Sequence, residues 1–229
     1  MIKSDPKLLK NHLSFFFVFF LLLALFPSCS SPPAGIIIFC AGDSITEAAY
    51  PHYLRMIFNK EGLRAKVLNY GRKGYNSGEY LNFLEKNEES LKAEHPDYIL
   101  LQLGTNDARL DGDFTPPLLF KANMKRIIEI FQTFKNRRGK ETIMLLANVP
   151  PIPEESPYPF SSDSSIRVRD EINPVIKDIC EEERILMVDN YSLFLNSPSL
   201  LPDVHPNQEG YKALAKNWYQ SLKVFLDKK

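Results

Sequence analysis

Five short apolar runs, each followed by a stretch of helical spacing, constrain this chain more than any other feature. The runs are 36–41, 65–70, 98–103, 142–147 and 185–189. Each is short and bounded by glycine, proline or polar residues, which reads as a strand, and the runs at 36–41 and 98–103 read as strands buried on both faces. The segments between them place apolar residues three and four apart. Tyr53, Leu54, Ile57 and Phe58 fall on one helix face within 50–59. Tyr80, Leu81, Leu84 and Leu91 do so in a helix over 77–93, with Ser77 as its expected cap. Met124, Ile127, Ile128 and Phe131 mark a helix over 116–134. A further helix is expected over 165–182, with Pro174 its weak point, and Tyr211, Leu214, Trp218 and Leu222 mark a terminal helix. Strict alternation of strand and helix predicts an α/β fold, a parallel sheet with helices on both faces and right-handed crossovers.

The length of 229 residues suits one domain with a substantial core. Lys plus Arg and Asp plus Glu are equal at 28 each, and no basic run appears. Electrostatic binding to a nucleic-acid backbone is therefore not expected. The amino terminus reads as a targeting segment. Lys3, Lys7 and Lys10 precede an almost wholly apolar 13–26 stretch, short for a membrane span and suited to a secretory signal. An uncleaved anchor is the alternative. The stretch ends Leu25-Phe26-Pro27-Ser28-Cys29, which resembles a bacterial lipoprotein signal, although Phe26 and Pro27 depart from its usual residues. The expected organisation is a signal over 1–28, a lipidated Cys29 with a tether over 29–34, and one domain over 35–229. It implies export to the cell envelope, with a lipid anchor burying its acyl chains in a membrane, or secretion if Cys29 is not lipidated. Cys40 and Cys180 both lie in apolar elements and read as free buried thiols.

Polar residues follow the strands. Gly42 ends the first, and Asp43 and Ser44 come next; on their own they can be turn and capping residues. Gly74 follows the second strand, Asn106 the third, and His205 lies after the fifth. In a parallel sheet all four face the carboxyl edge, where sites form. A serine hydroxyl needs a base to take its proton, His205 can serve, and a carboxylate can orient the imidazole. The Ser44 N–H, the Gly74 N–H and the Asn106 side-chain amide can supply oxyanion donors. His52 reads as a surface residue, His95 as a charge at a helix end, and Asp107 as structural. Phosphate-loop, dinucleotide and zinc-ligand spacings are absent, as is Gly-x-Ser-x-Gly.

Gly42-Asp43-Ser44-Ile45-Thr46, then Gly74, then Gly104-Thr105-Asn106-Asp107, then Asp203-Val204-His205-Pro206-Asn207 resembles the SGNH hydrolase (GDSL esterase/lipase) family, block by block and in order. The resemblance implies a flavodoxin-like three-layer sandwich with five strands in the order 2-1-3-4-5. It implies Ser44 as nucleophile, Ser44, Gly74 and Asn106 as oxyanion donors, and His205 as base, with no metal or organic cofactor. The family places its aspartate three residues before the histidine. Here that position is Pro202, and Asp203 lies two before His205. Asp203 is the first candidate to orient His205; Asp189 is the substitute, and a Ser-His dyad oriented by a backbone carbonyl is the third possibility. The implied activity is a serine esterase on short-acyl carbohydrate esters or lysophospholipid, expected as a monomer. The rivals are an O-acyltransferase on a glycan acceptor and a non-catalytic surface lipoprotein. The proline-rich 149–161 segment is either a wall of the site or a rigid connector.

Overall fold

The computed structural model describes residues 35–112 and 114–226. The apolar leader, Cys29 and the 29–34 tether lie outside the described residues. Gly35–Lys229 form a compact unit of their own.

The sheet is built from β1 (Ile36–Gly42), β2 (Ala65–Gly71), β3 (Tyr98–Gln102), β4 (Ile143–Ala147) and β5 (Leu186–Val188). All neighbours pair in parallel, in the order β2-β1-β3-β4-β5. This is the architecture and strand order expected from the sequence. The register sets Ile38 beside both Val67 and Tyr98, which fixes β1 at the centre of the first three strands.

Side chains of a strand alternate between faces, so each central strand feeds two cores. Phe39, Ala41, Ile99, Leu101 and Leu146 point to one. There they meet α3 (Ser77–Lys92), α4 (Pro117–Gln132) and α6 (Asn173–Glu183). Ile38, Cys40, Leu100, Leu145 and Val188 point to the other. There they meet α2 (Tyr50–Lys60), α7 (Asn190–Leu195) and α8 (Gln208–Leu226). Trp218 of α8 is fully buried and stacks on Tyr50 at 6.1 Å between ring centroids. Burial of each such large side chain stabilises the fold by roughly 1.5–3 kcal/mol. Cys40 and Cys180 are free and buried, and burial pushes both thiols up to about 12.

Three local features differ from expectation. Ser44 does not sit in an open turn; it begins a short helix, α1 (Ser44–Ala48). Asn76, not Ser77, caps α3, in a reciprocal pair with Glu79. The helix expected over 165–182 is α5 (Ser162–Arg167), a π turn (Val168–Ile172) and then α6. Pro174 has no N–H to continue an α-helical ladder, and the wider turn just before it absorbs the missing bond.

Candidate active site

The carboxyl ends of the strands bring the polar residues together. β1 stops at Gly42 because the chain is crowded there. A Cβ at this position would overlap the Gln102 carbonyl oxygen and the Thr46 side chain. The following Asp43 caps α1, its Oδ1 accepting the Ile45 N–H at 2.9 Å. Ser44 therefore stands at a helix N-terminus, where the first backbone N–H groups have no intrahelical acceptor. The Ser44 Oγ lies 2.9 Å from His205 Nε2. With the ring proton on Nδ1, Nε2 accepts the serine proton.

His205 is carried by the loop between a 3₁₀ turn (Pro198–Leu200) and α8. Asp203 Oδ1 accepts the His205 backbone N–H at 2.6 Å. The same oxygen is 3.6 Å from His205 Nδ1, within ion-pair range and beyond a hydrogen bond. Among the described residues Asp203 is the carboxylate paired with this ring. Both side chains are nearly half exposed, at 44% for His205 and 45% for Asp203. Asp189 is committed elsewhere. It caps α7, accepting the Ser192 N–H and an Asn148 Nδ2 proton, each at 2.9 Å. Burial pushes its carboxyl up, but these donors outweigh burial and hold it below the usual range.

Gly74 and Asn106 reach the same edge from β2 and β3. Gly74 has φ +80°, and a Cβ there would meet open space. The Arg72–Tyr75 turn is closed by the Tyr75 N–H on the Arg72 carbonyl, so closure does not use the Gly74 N–H. Asn106 starts a 3₁₀ turn (Asn106–Ala108) and is 5% exposed. One of its Nδ2 protons goes to the Tyr75 carbonyl at 2.9 Å, leaving the second. That bond ties the Gly74 loop to the Asn106 loop.

Behind these residues lies a buried polar layer for which the sequence offers little signal. Asp107 is fully buried and accepts the Ser77 N–H and the Ser77 hydroxyl, the latter at 2.6 Å. Arg167 donates to the Asp107 and Thr115 carbonyls and lies 3.4 Å above the Phe114 ring. Asp107 is thus structural, and burial raises its carboxyl despite the Ser77 bonds. Asp43 is also fully buried. Its carboxyl is pushed up to about 6, by burial first, against the Ile45 bond and the Thr105 hydroxyl, with Asp107 adding to the rise. Its Oδ2 and the Thr105 hydroxyl oxygen are both sealed from solvent. The motif position of Asp43 gives no hint that its charge is this unfavourable.

His52 is exposed near Arg55, and His95 is exposed with its Nδ1 against the Lys135 carbonyl. The proline-rich segment and the 198–202 turn enclose a cleft of about 350 Å³ lined by Pro151, Ile152, Phe194, Leu201 and Pro202. Pro202, the residue before Asp203, lines this cleft, whereas Ser44, Gly74, Asn106 and His205 do not.

Known proteins resemble this chain in sequence or in fold. A "Multidomain esterase" of Ruminococcus flavefaciens is 25% identical over 90% of this chain and 31% of its own length. An "Acetylxylan esterase" of Xylanibacter ruminicola is 25% identical over 77% of this chain and 41% of its own. The chain thus spans less than half the length of either curated relative. In fold, an acetyl-xylooligosaccharide esterase from Geobacillus Stearmophilus superposes with a TM-score of 0.65 at 21% identity, covering 82% of this chain and 94% of that one. A carbohydrate acetylesterase family member from Sinorhizobium meliloti gives 0.69 at 16% identity, covering 84% and 99%. Residues 40–213 match the GDSL-like Lipase/Acylhydrolase family from the first strand into the last helix, and the chain belongs to that family.

Proposed function

We propose that this chain is a serine esterase that removes short acyl groups, acetyl foremost, from carbohydrate. The Ser44 Oγ–His205 Nε2 contact at 2.9 Å carries the reading. Ser44 Oγ attacks the ester carbonyl while His205 Nε2 takes its proton. The carbonyl oxygen gains negative charge and is met by the Ser44 N–H, the Gly74 N–H and the second Asn106 Nδ2 proton. Collapse breaks the bond to the alcohol, which leaves with the proton from His205. Water, deprotonated by the same imidazole, then attacks the acyl-serine; the acid departs and the proton returns to Ser44. Asp203 sets the His205 backbone through its 2.6 Å bond and stabilises the imidazolium from 3.6 Å.

The carbohydrate preference draws on the relatives, two of whose names specify acetylated xylan or xylo-oligosaccharide. The apolar leader and Cys29 support export and lipid anchoring at the cell envelope. The test is hydrolysis of p-nitrophenyl acetate, p-nitrophenyl octanoate and acetylated xylo-oligosaccharide by the full chain and by Ser44→Ala. Acetate and xylo-oligosaccharide turnover that vanishes in the variant is the expected result. Equal rates for the two proteins would overturn the serine esterase, and octanoate preferred over acetate would overturn the short-acyl assignment.

A further inference from the structure

The amino edge of the sheet, opposite Ser44, gathers positive charge although the chain as a whole is neutral. The strands start there at Ile36, Ala65, Tyr98, Ile143 and Leu186; the approach to the last is acidic, with Glu182 and Glu183 paired to Lys121 and Lys125. Arg64 precedes β2, and its carbonyl accepts the Ile36 N–H at 2.8 Å. A hairpin over 135–141 precedes β4, closed by the Gly139 N–H on the Asn136 carbonyl at 2.8 Å. Its tip presents Arg137, Arg138 and Lys140, all exposed, and Arg137 donates to the Gly35 carbonyl. Hairpin, Gly35 and Arg64 are therefore contiguous, and α2 ends four residues before Arg64.

A groove of about 630 Å³ runs between α2 and α8, and its Lys60 end lies four residues before Arg64 in the chain. Its apolar side chains include Met56, Ile57 and Tyr219, and Lys60, Lys216 and Lys223 rim it. Met56 is 52% exposed, and Val224 next to Lys223 is 50% exposed. Most carboxylates at this edge already have partners. Asp97 accepts the Ile37 N–H and an Asn136 amide proton, Glu94 pairs with Lys66, and Glu141 pairs with Lys135. Glu61 alone shares the groove with the lysines. The described residues offer no ion pair to Lys60, Arg138, Lys140, Lys216 or Lys223.

We propose that this edge docks on an anionic phospholipid bilayer. Lysine and arginine heads meet lipid phosphates while Met56 and Val224 enter the interface, as long basic side chains do beside apolar ones. The mixture favours a bilayer over a soluble acidic polymer, which offers no apolar layer. The chain also enters the domain at Gly35, on this same edge, directly after a sequence that carries the apolar 13–26 stretch. The seven residues of β1 separate the two edges by about 20 Å, so a docked domain turns Ser44 away from the lipid. Resting on the esterase reading, this assigns Ser44 an ester presented from the aqueous side rather than a lipid of the same bilayer.

The experiment measures partitioning of the full chain between buffer and vesicles of pure phosphatidylcholine or of phosphatidylcholine with 30% phosphatidylglycerol. The leader, with Lys3, Lys7 and Lys10, contributes to both vesicle types and to their ratio, so the change in the ratio between wild type and variants that share the leader reports the basic edge. A ratio on the order of tenfold, collapsing in high salt, is expected. It should fall below about threefold in Lys60→Glu/Lys223→Glu and separately in Arg138→Glu/Lys140→Glu. Hydrogen exchange on the anionic vesicles should slow in 60–64 and 136–140 and remain unchanged in the Ser44, Asn106 and His205 loops. Equal ratios in wild type and both variants, or slowing at the catalytic edge instead, overturns the proposal. So does protection of the basic edge by soluble polygalacturonate without any by the anionic vesicles. Ser44→Ala must keep the wild-type ratio, so failure of the esterase reading leaves this result intact.

Discussion

Replacing Asp43 by Asn should make the protein more stable at neutral pH than in acid, relative to wild type. The Asp43 carboxyl is raised from 3.8 to about 6 by complete burial beside Asp107. Below pH ~4 both the folded and the unfolded chain carry this proton, and the group imposes no ionisation penalty. As the pH climbs, the unfolded carboxyl ionises freely while the folded one resists. The folded state then binds more protons than the unfolded state, and stability falls. Above about 6 the folded group is ionised too, and the loss is complete. The rise of about 2 pH units, at ~1.4 kcal/mol per unit, corresponds to roughly 3 kcal/mol lost between pH ~4 and neutrality. Asn cannot ionise, and its Oδ1 can still accept the Ile45 N–H that caps α1. The neighbouring Asp107 titrates in both proteins and cancels to first order in their difference. Urea unfolding is followed through Trp218, the single tryptophan and fully buried. The stability of Asp43→Asn minus that of wild type should grow by roughly 3 kcal/mol from pH 4 to 7.5. A difference that stays flat, or shrinks with rising pH, would show that Asp43 is not held against ionisation.

Asn106→Ala should lower kcat by on the order of 10²–10³, the loss typical of one oxyanion donor, and a loss below threefold would remove Asn106 from that role. Asp203→Ala should lower kcat/KM by about 10–10², well short of the ~10⁴ known for a buried, directly bonded triad aspartate, because Asp203 is half exposed and 3.6 Å from the ring. Asp189→Ala should cost about 1 kcal/mol of stability through its lost cap and leave kcat within twofold; a larger kcat loss than that of Asp203→Ala would exchange their roles. Gly42→Ala should cost more than ~3 kcal/mol and lower Tm by about 10 °C, since its methyl meets the Gln102 backbone, which cannot give; calorimetry reads this directly.

The sheet was legible because its central strands are closed apolar runs, as burial on both faces of a parallel sheet demands, whereas edge strand β2 carries exposed Lys66 and Asn69. Ser44, Gly74, Asn106 and His205 were legible because they follow those runs, and topology sends every strand end to one edge. The details that escaped depend on side-chain competition across the fold. Ser77 looks like a cap, but its hydroxyl is bound to Asp107, which leaves the cap to Asn76. Spacing alone could not choose between Asp203 and Asp189. Geometry separates them because Asp189 is held by Asn148 and Ser192, while Asp203 faces the His205 ring. The π turn before Pro174 was equally hidden, since a proline signals a break but not how a helix widens to accommodate it.

One property of the fold links the two edges. Because every strand runs in the same direction, each crossover returns the chain to the amino edge before the next strand begins. Residues after strands therefore collect at one end, and residues before strands collect at the other. Ser44, Asn106 and the approach to His205 are of the first kind; Arg64 and the 135–141 hairpin are of the second. A substitution before a strand can alter the basic edge with no route to the reacting atoms except through the packed sheet. Arg138→Glu/Lys140→Glu should accordingly change the vesicle ratio while p-nitrophenyl acetate turnover in solution stays within twofold of wild type. A parallel fall in both would mean that the hairpin supports the site through β4, and the two edges would then be one functional unit.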